Sequence, residues 1–217
     1  MSRYVPARHY VSFGIVALAL AGFSGWLGLT WPPAFCPAVL FLLTGSISCY
    51  KACFAISRLV QAGIEVRTVA TAYALKFVGV ATLEGLTGHP VASDIWEPGK
   101  AMDHINLARW ADLALVAPAT ANTLNRLSAG LADDLVGSLF LAWEIQKKPW
   151  WVAPAMNVAM FNHPLAQASL QKLSGLGVRV LPTGEGALAC GEEGAGRLLE
   201  PEQLVMQVLA ELGPKLA

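Results

Sequence analysis

The sequence predicts an α/β fold, a parallel sheet with helices on both faces. Three observations carry this expectation. Short continuous apolar runs recur along the chain, the pattern of strands buried on both faces. Helix-like stretches lie between them with short connections, which brings successive strands into one parallel sheet. Small and hydroxyl residues gather just after several of the runs, where a doubly wound, Rossmann-like sheet binds its ligands.

Ala38 to Leu43 is the first run. It leads into Thr44-Gly45-Ser46-Ile47-Ser48 and an amphipathic stretch from about Cys49 to Ala62, closed by Gly63. Val66 to Ala70 is the second strand, followed by a helical Tyr73 to Val80. A short helical stretch begins at His104. Leu113 to Ala117 is the third strand, stopped by Pro118, with a helix beginning near Asn122. Asp133 to Gln146 and Leu165 to Leu173 read as helices on either side of a fourth strand, Trp150 to Ala153. Val178 to Leu181 is the fifth strand. No internal repeat or low-complexity linker interrupts this order, so one domain is expected over residues 38–217.

Charge and cysteine usage narrow the function. The formal net charge is zero and no Lys/Arg block stands out, which argues against a nucleic-acid partner. The four cysteines (Cys36, Cys49, Cys53 and Cys190) have neither zinc-type spacing with histidine nor a dense disulfide pattern. A reduced, cytoplasmic protein without a metal site is expected. Cys49 and Cys53 lie one helical turn apart, a spacing for packing on one helix face.

Residues 1–37 form an apolar N-terminal extension. Val11 to Thr30 carry no charge and are long enough to span a bilayer. Arg3 and Arg8 precede them, which would hold the N-terminus in the cytoplasm. Three readings stay open: a spurious or poorly ordered extension, a membrane anchor, and a signal peptide, although no convincing cleavage site follows.

Four segments after strands hold the candidate site residues. Thr44-Gly45-Ser46 combines a glycine for close backbone approach, hydroxyls and a helix N-terminus, which suits a mononucleotide phosphate or a capped turn equally. Thr71 ends the second strand. Ala117-Pro118-Ala119-Thr120-Ala121-Asn122-Thr123 admits a flat ring or a phosphate to the backbone, or is an ordinary capped loop. In Pro154-Ala155-Met156-Asn157 the amide can donate to a carboxylate or cap a helix. His104 is a lone histidine, which reads as a structural residue or as one suited to handling protons. Cys190 lies in Ala-Cys-Gly-Glu-Glu-Gly-Ala-Gly-Arg. Its neighbours Glu192 and Glu193 keep the thiol protonated, so it reads as a proton donor or as a small buried cysteine rather than a nucleophile. Gly184, Gly186, Gly191, Gly194 and Gly196 make that segment a candidate lid.

From Ala38 onward the chain resembles the flavin-containing cysteine decarboxylases. The resemblance lies in Thr44-Gly45-Ser46-Ile47 with Tyr50-Lys51, Thr71-x-x-Ala74-x-x-Phe77, and His104-Ile105-x-Leu107 before Trp110-Ala111-Asp112. It continues through Ala117 to Thr123, Ala132-Asp133-Asp134-Leu135, Ala153-Pro154-Ala155-Met156-Asn157-x-x-Met160 and Ala189-Cys190-Gly191. It implies a flavoprotein domain with FMN contacted by Gly45, Ser46, Thr71, Thr120, Ala121, Asn122, Thr123 and Ala155. It also implies His104 and Cys190 as catalytic residues, and Asn157, Leu188 and Ala189 beside the substrate. Leu198 stands where the family often has Met, and the extension before Pro37 has no counterpart in it.

The activity implied is FMN-dependent decarboxylation of 4′-phosphopantothenoylcysteine to 4′-phosphopantetheine in coenzyme A biosynthesis. The thiol end is oxidised to a thioaldehyde, CO2 leaves, and the enethiolate is reduced and protonated. A homotrimer or a multiple of trimers with sites between subunits is expected, and a separate phosphopantothenate-cysteine ligase. Two alternatives belong to the same superfamily: a peptidyl-cysteine oxidative decarboxylase, which stops at the enethiol and needs no proton-donating cysteine, and a non-catalytic regulatory subunit.

Overall fold

A computed structural model describes residues 36–186, 191 and 193–213. Its sheet has five parallel strands in the order β2-β1-β3-β4-β5. These are β1 (Ala38–Leu43), β2 (Glu65–Ala70), β3 (Leu113–Ala119), β4 (Trp150–Pro154) and β5 (Arg179–Val180). All residues of β1, β3 and β4 are buried, as strands covered on both faces must be. The eight helices among the described residues are α1 (Cys49–Gln61), α2 (Val80–Thr87), α3 (Asp103–Trp110), α4 (Ala121–Ala129), α5 (Leu135–Ala142), α6 (Val158–Asn162), α7 (Pro164–Gly175) and α8 (Pro201–Leu212).

Strand alternation divides the interior into two cores. Val39, Phe41, Leu43, Leu115 and Trp151 pack against α1 and α8 on one face. Leu40, Leu42, Val116, Trp150 and Val152 pack against α3, α4, α5 and α7 on the other. Strand order reverses between β1 and β3, which opens a crevice beyond their carboxyl ends.

The expected strands all form, with ends shifted by a residue or two. The one misassigned element is the helix expected over Tyr73 to Val80. That stretch holds a single 3-10 turn, Ala74–Lys76, and a separate helix begins at Val80 after Gly79. Thr71 Oγ1 accepts from Ala74 N at 3.2 Å at the start of the turn, and the extended backbone of Gly79 (φ −75°, ψ 149°) separates the turn from that helix. The helix expected over Asp133 to Gln146 is shorter, because Asp134 caps it by accepting from Gly137 N at 2.8 Å and Trp143 is already extended. Residues 11–30 lie outside the described residues. Among the described residues, no helix is long and apolar enough to cross a membrane.

Candidate active site

The carboxyl ends of β1, β2, β3 and β4 surround a cavity of about 870 Å³. Gly45, Ser46, Thr71, Thr120, Ala121, Asn122, Thr123 and Ala155 all line it. The eight residues come from four strand ends and converge because the sheet is parallel, so every strand delivers its following turn to the same edge.

Thr44 binds two of these turns together. Fully buried at the end of β1, it donates from Oγ1 to Pro118 O at 2.6 Å and accepts from Thr120 N at 3.1 Å. Thr120 in turn caps α4, its hydroxyl lying 3.4 Å from Thr123 N and 3.2 Å from Thr123 Oγ1. Ala121 and Asn122, in the first turn of α4, leave backbone N–H groups without an acceptor among the described residues. Such a terminus favours an anion. Gly45 is favoured by contact: a Cβ there would sit 2.5 Å from Tyr73 Cβ, so one of the two segments would have to shift.

Asn157 is the N-cap of α6. Its Oδ1 accepts from Met160 N at 2.8 Å. The amide NH2 is left to donate, with no acceptor among the described residues. The helix cap expected for this residue therefore forms, and it leaves the NH2 group uncommitted. Asn157 itself is not among the lining residues, but Ala155, Met156 and Met160 around it are.

His104 stands in the first turn of α3, half-buried, and does not line the cavity. Its Nδ1 is buried and unpartnered among the described residues. Leu188, Ala189 and Cys190 lie outside the described residues. The chain on either side of them is tied down. Gly194 N donates to Gly186 O at 3.2 Å, Gly184 N to Arg197 O at 2.8 Å, and Met156 N to Gly196 O at 2.9 Å. The last bond sets the chain after Cys190 against the Asn157 turn.

Sequence reasoning missed part of the wall. Tyr73, Trp96 and Arg126, with Asp133 and Asp134, also line the cavity. Arg126 is ion-paired with Asp133 and lies 3.6 Å from Asp134, so its charge is balanced on the wall. Trp96 is 82% exposed at the rim, its backbone N–H held by Asp94 Oδ1 at 2.8 Å. An exposed tryptophan inside a polar, proline- and glycine-containing loop was the available signal.

The family model described as Flavoprotein matches residues 36–213. The chain belongs to the Flavoprotein family. The coenzyme A biosynthesis bifunctional protein CoaBC of Bacillus subtilis (strain 168) is 43% identical over 169 residues, 77% of this chain and 41% of that protein. The chain thus spans less than half the length of the curated relatives it matches. Among solved structures, a PPC decarboxylase mutant complexed with pantothenoylaminoethenethiol is similar at TM-score 0.74 and 33% identity, over 82% of this chain and 98% of that one. The FMN binding protein AtHal3 is similar at TM-score 0.69 and 33% identity, over 81% of this chain and 96% of that one.

The cavity of this Flavoprotein member fits a flavin mononucleotide on its own terms. Its volume lies within the range of small-molecule sites. Ala70, Ala72, Ala121 and Ala155 leave room for a flat ring, and the open N–H groups of α4 suit a phosphate.

Proposed function

We propose that this protein is an FMN-dependent decarboxylase that converts 4′-phosphopantothenoylcysteine to 4′-phosphopantetheine, a carbon–carbon lyase step of coenzyme A biosynthesis. The observation that supports it most is the convergence of eight residues from four strand ends on one cavity, with the free amide of Asn157 close by. Gly45, Ser46, Thr71, the Thr120 to Thr123 segment and Ala155 would hold FMN. When bound, FMN supplies the two-electron oxidation of the substrate's thiol end and the later return of both electrons.

The protein's own residues then place the substrate and handle its protons. Asn157 donates its NH2 to the substrate carboxylate, because its Oδ1 is already spent on Met160 N. That contact fixes which bond faces the electron sink created at the neighbouring carbon, so the C–C electron pair flows into the thioaldehyde as CO2 leaves. His104 serves the decarboxylating half with a ring whose Nδ1 has no partner among the described residues. Cys190 donates the proton that completes the second half, with Leu188 and Ala189 beside the substrate.

His104 lies off the cavity of its own chain, which supports a site completed between subunits, in a homotrimer or a multiple of trimers. An apolar stripe is available for that contact. Ile47, Tyr50 and Phe54 are more than half exposed at helical spacing along and just before α1, with Tyr73 and Phe77 also exposed after β2. A separate ligase would supply the substrate by joining cysteine to phosphopantothenate. We place the protein in the cytoplasm and its domain boundary near residue 37. Pro37 O accepts from Glu65 N at 3.0 Å, so a truncation should retain Pro37.

The test combines a spectrum with a product mass. Purified protein should release FMN on denaturation and convert 4′-phosphopantothenoylcysteine to 4′-phosphopantetheine with CO2. His104→Asn should lose CO2 release while keeping FMN. Cys190→Ser should release CO2 but yield a product two hydrogens lighter, because serine is a far weaker acid. The lighter product from the unmodified protein would replace this function with a peptidyl-cysteine type of chemistry, and a protein that cannot bind FMN would end it.

A further inference from the structure

We infer that Glu200 is a positioning residue for Asn157, and through it for the carboxylate end of the substrate; this rests on the decarboxylase function proposed above. Glu200 immediately precedes α8 and gathers two cations. Lys51 Nζ donates to both of its carboxylate oxygens, at 2.8 and 3.0 Å, and Arg197 lies 2.9 Å from Oε1. Lys51 is 7% exposed and belongs to α1, the helix that follows the Gly45–Ser46 turn of the cavity. Arg197 adjoins Gly196, which presses on the Asn157 turn. One carboxylate therefore joins the helix behind the cofactor turn to the chain that backs the substrate amide.

The contact at Gly196 is close. Its φ is +111°, and a Cβ there would lie 2.6 Å from Met156 O and 3.4 Å from Asn157 O. Its carbonyl accepts from Met156 N at 2.9 Å. The Asn157 turn needs such backing because α6 is only five residues long and buries none of them. A single turn of helix has little stability of its own. Its first residue keeps its orientation through the cap bond and through what presses on the turn from outside. Arg197 supplies that pressure from two atoms, its guanidinium on Glu200 and its carbonyl on Gly184 N at 2.8 Å.

Charge-assisted bonds of this kind are stronger than neutral ones, and the nearly buried Lys51 has its carboxylate partner only in Glu200 among the described residues. Glu200→Gln keeps the shape and removes the charge that both cations share. The Gly194–Arg197 chain then relaxes from Met156 and Asn157, and the amide loses its aim at the carboxylate. A ligand that carries the carboxylate should suffer, and one that lacks it should not.

The experiment uses the full-length, FMN-loaded protein and two ligands. In Glu200→Gln, KM for 4′-phosphopantothenoylcysteine should rise about tenfold, a change on the scale of one well-placed polar contact. The inhibition constant of 4′-phosphopantetheine, which has no carboxylate at that position, should stay within about twofold. FMN content per chain should not change. Arg197→Gln leaves the Lys51–Glu200 pair intact and should give the same split at smaller size, so the inference remains testable if Glu200→Gln does not fold. Glu200→Asp, which restores the charge, should recover part of the loss. Both constants rising together would reduce Glu200 to general support of the fold, and neither moving would remove it from the site; either result overturns the inference. No turnover by the unmodified protein would instead overturn the decarboxylase function beneath it.

Discussion

The two ends of β4 carry opposite loads. At the amino end stand Trp150 and Trp151, 0% and 1% exposed, one on each face of the sheet. Trp150 meets Phe140 and Trp143 edge-on, with ring centroids 5.1 and 5.5 Å apart. At the carboxyl end the strand runs out as Ala153-Pro154-Ala155 and borders the cavity. Strand β3 ends in the same way, in Ala117-Pro118-Ala119. One end of the sheet is filled with large rings that exclude water, and the other is left open by small side chains that expose backbone. The binding site is therefore made by withholding side-chain volume, and the aromatic end supplies the packing that the open end gives up.

Emptying the aromatic end should break this comparison most severely. Trp150→Ala is expected to cost about 3–5 kcal/mol of folding stability, the usual range for deleting a large buried ring. Denaturant midpoints measure it, with FMN content per folded chain unchanged. Trp150 Nε1 is buried without a partner among the described residues, so packing rather than hydrogen bonding holds the ring. Trp150→Phe should accordingly cost far less. A similar loss in both variants would show that the indole N–H matters after all.

Filling the open end is the converse test. Gly45→Ala puts a methyl group 2.5 Å from Tyr73 Cβ, so one of the two chains must move. Overpacking of this kind costs about 1–3 kcal/mol. Because both residues line the cavity, FMN affinity should fall at least about tenfold, near 1.4 kcal/mol. A fluorescence titration with FMN reads the affinity directly. Unchanged affinity would mean that the cofactor does not use this turn.

The open end was also the more legible one. Strands covered on both faces announce themselves as unbroken apolar runs, and a parallel sheet sends the turn after each run to one edge. The four segments that follow those runs could therefore be assigned to one place before their distances were known, and the family resemblance singled out the eight residues within them. His104 shows where this reasoning stops. Its helix lies before β3 in sequence, yet the ring sits off the cavity of its own chain, and no local pattern encodes that separation. Tyr73 to Val80 was misread because its apolar spacing suits one helix as well as a 3-10 turn followed by another. Glu200, Arg197 and Lys51 were not singled out as a group. Charged residues far apart in sequence look solvated until the fold brings them together.

Lys148 belongs to the aromatic end and offers the smallest and most specific test. Its Nζ donates to Ala108 O and, at 2.7 Å, to Ala111 O, closing the carboxyl end of α3. The ammonium also lies 4.3 Å above the Trp143 ring. Burial lowers its pKa from the ordinary lysine value, with Asp112 and Glu144 opposing the shift. Below the folded pKa both folded and unfolded chains hold the proton, and the burial cost is paid in full. As pH rises from the folded toward the unfolded pKa, the folded chain releases the proton first. The unfolded chain then binds more protons, so stability from this group increases with pH. Lys148→Met removes the donor to both carbonyls and should cost about 1 kcal/mol near neutral pH. It also removes the alkaline gain. The gap between the unmodified protein and Lys148→Met should therefore widen from pH 7 to about pH 10, below the unfolded lysine pKa. Paired denaturant titrations at the two pH values measure it, since other titrating groups cancel in the difference. A constant or narrowing gap would show that water reaches the ammonium, and that the dry region around Trp150 stops short of α3.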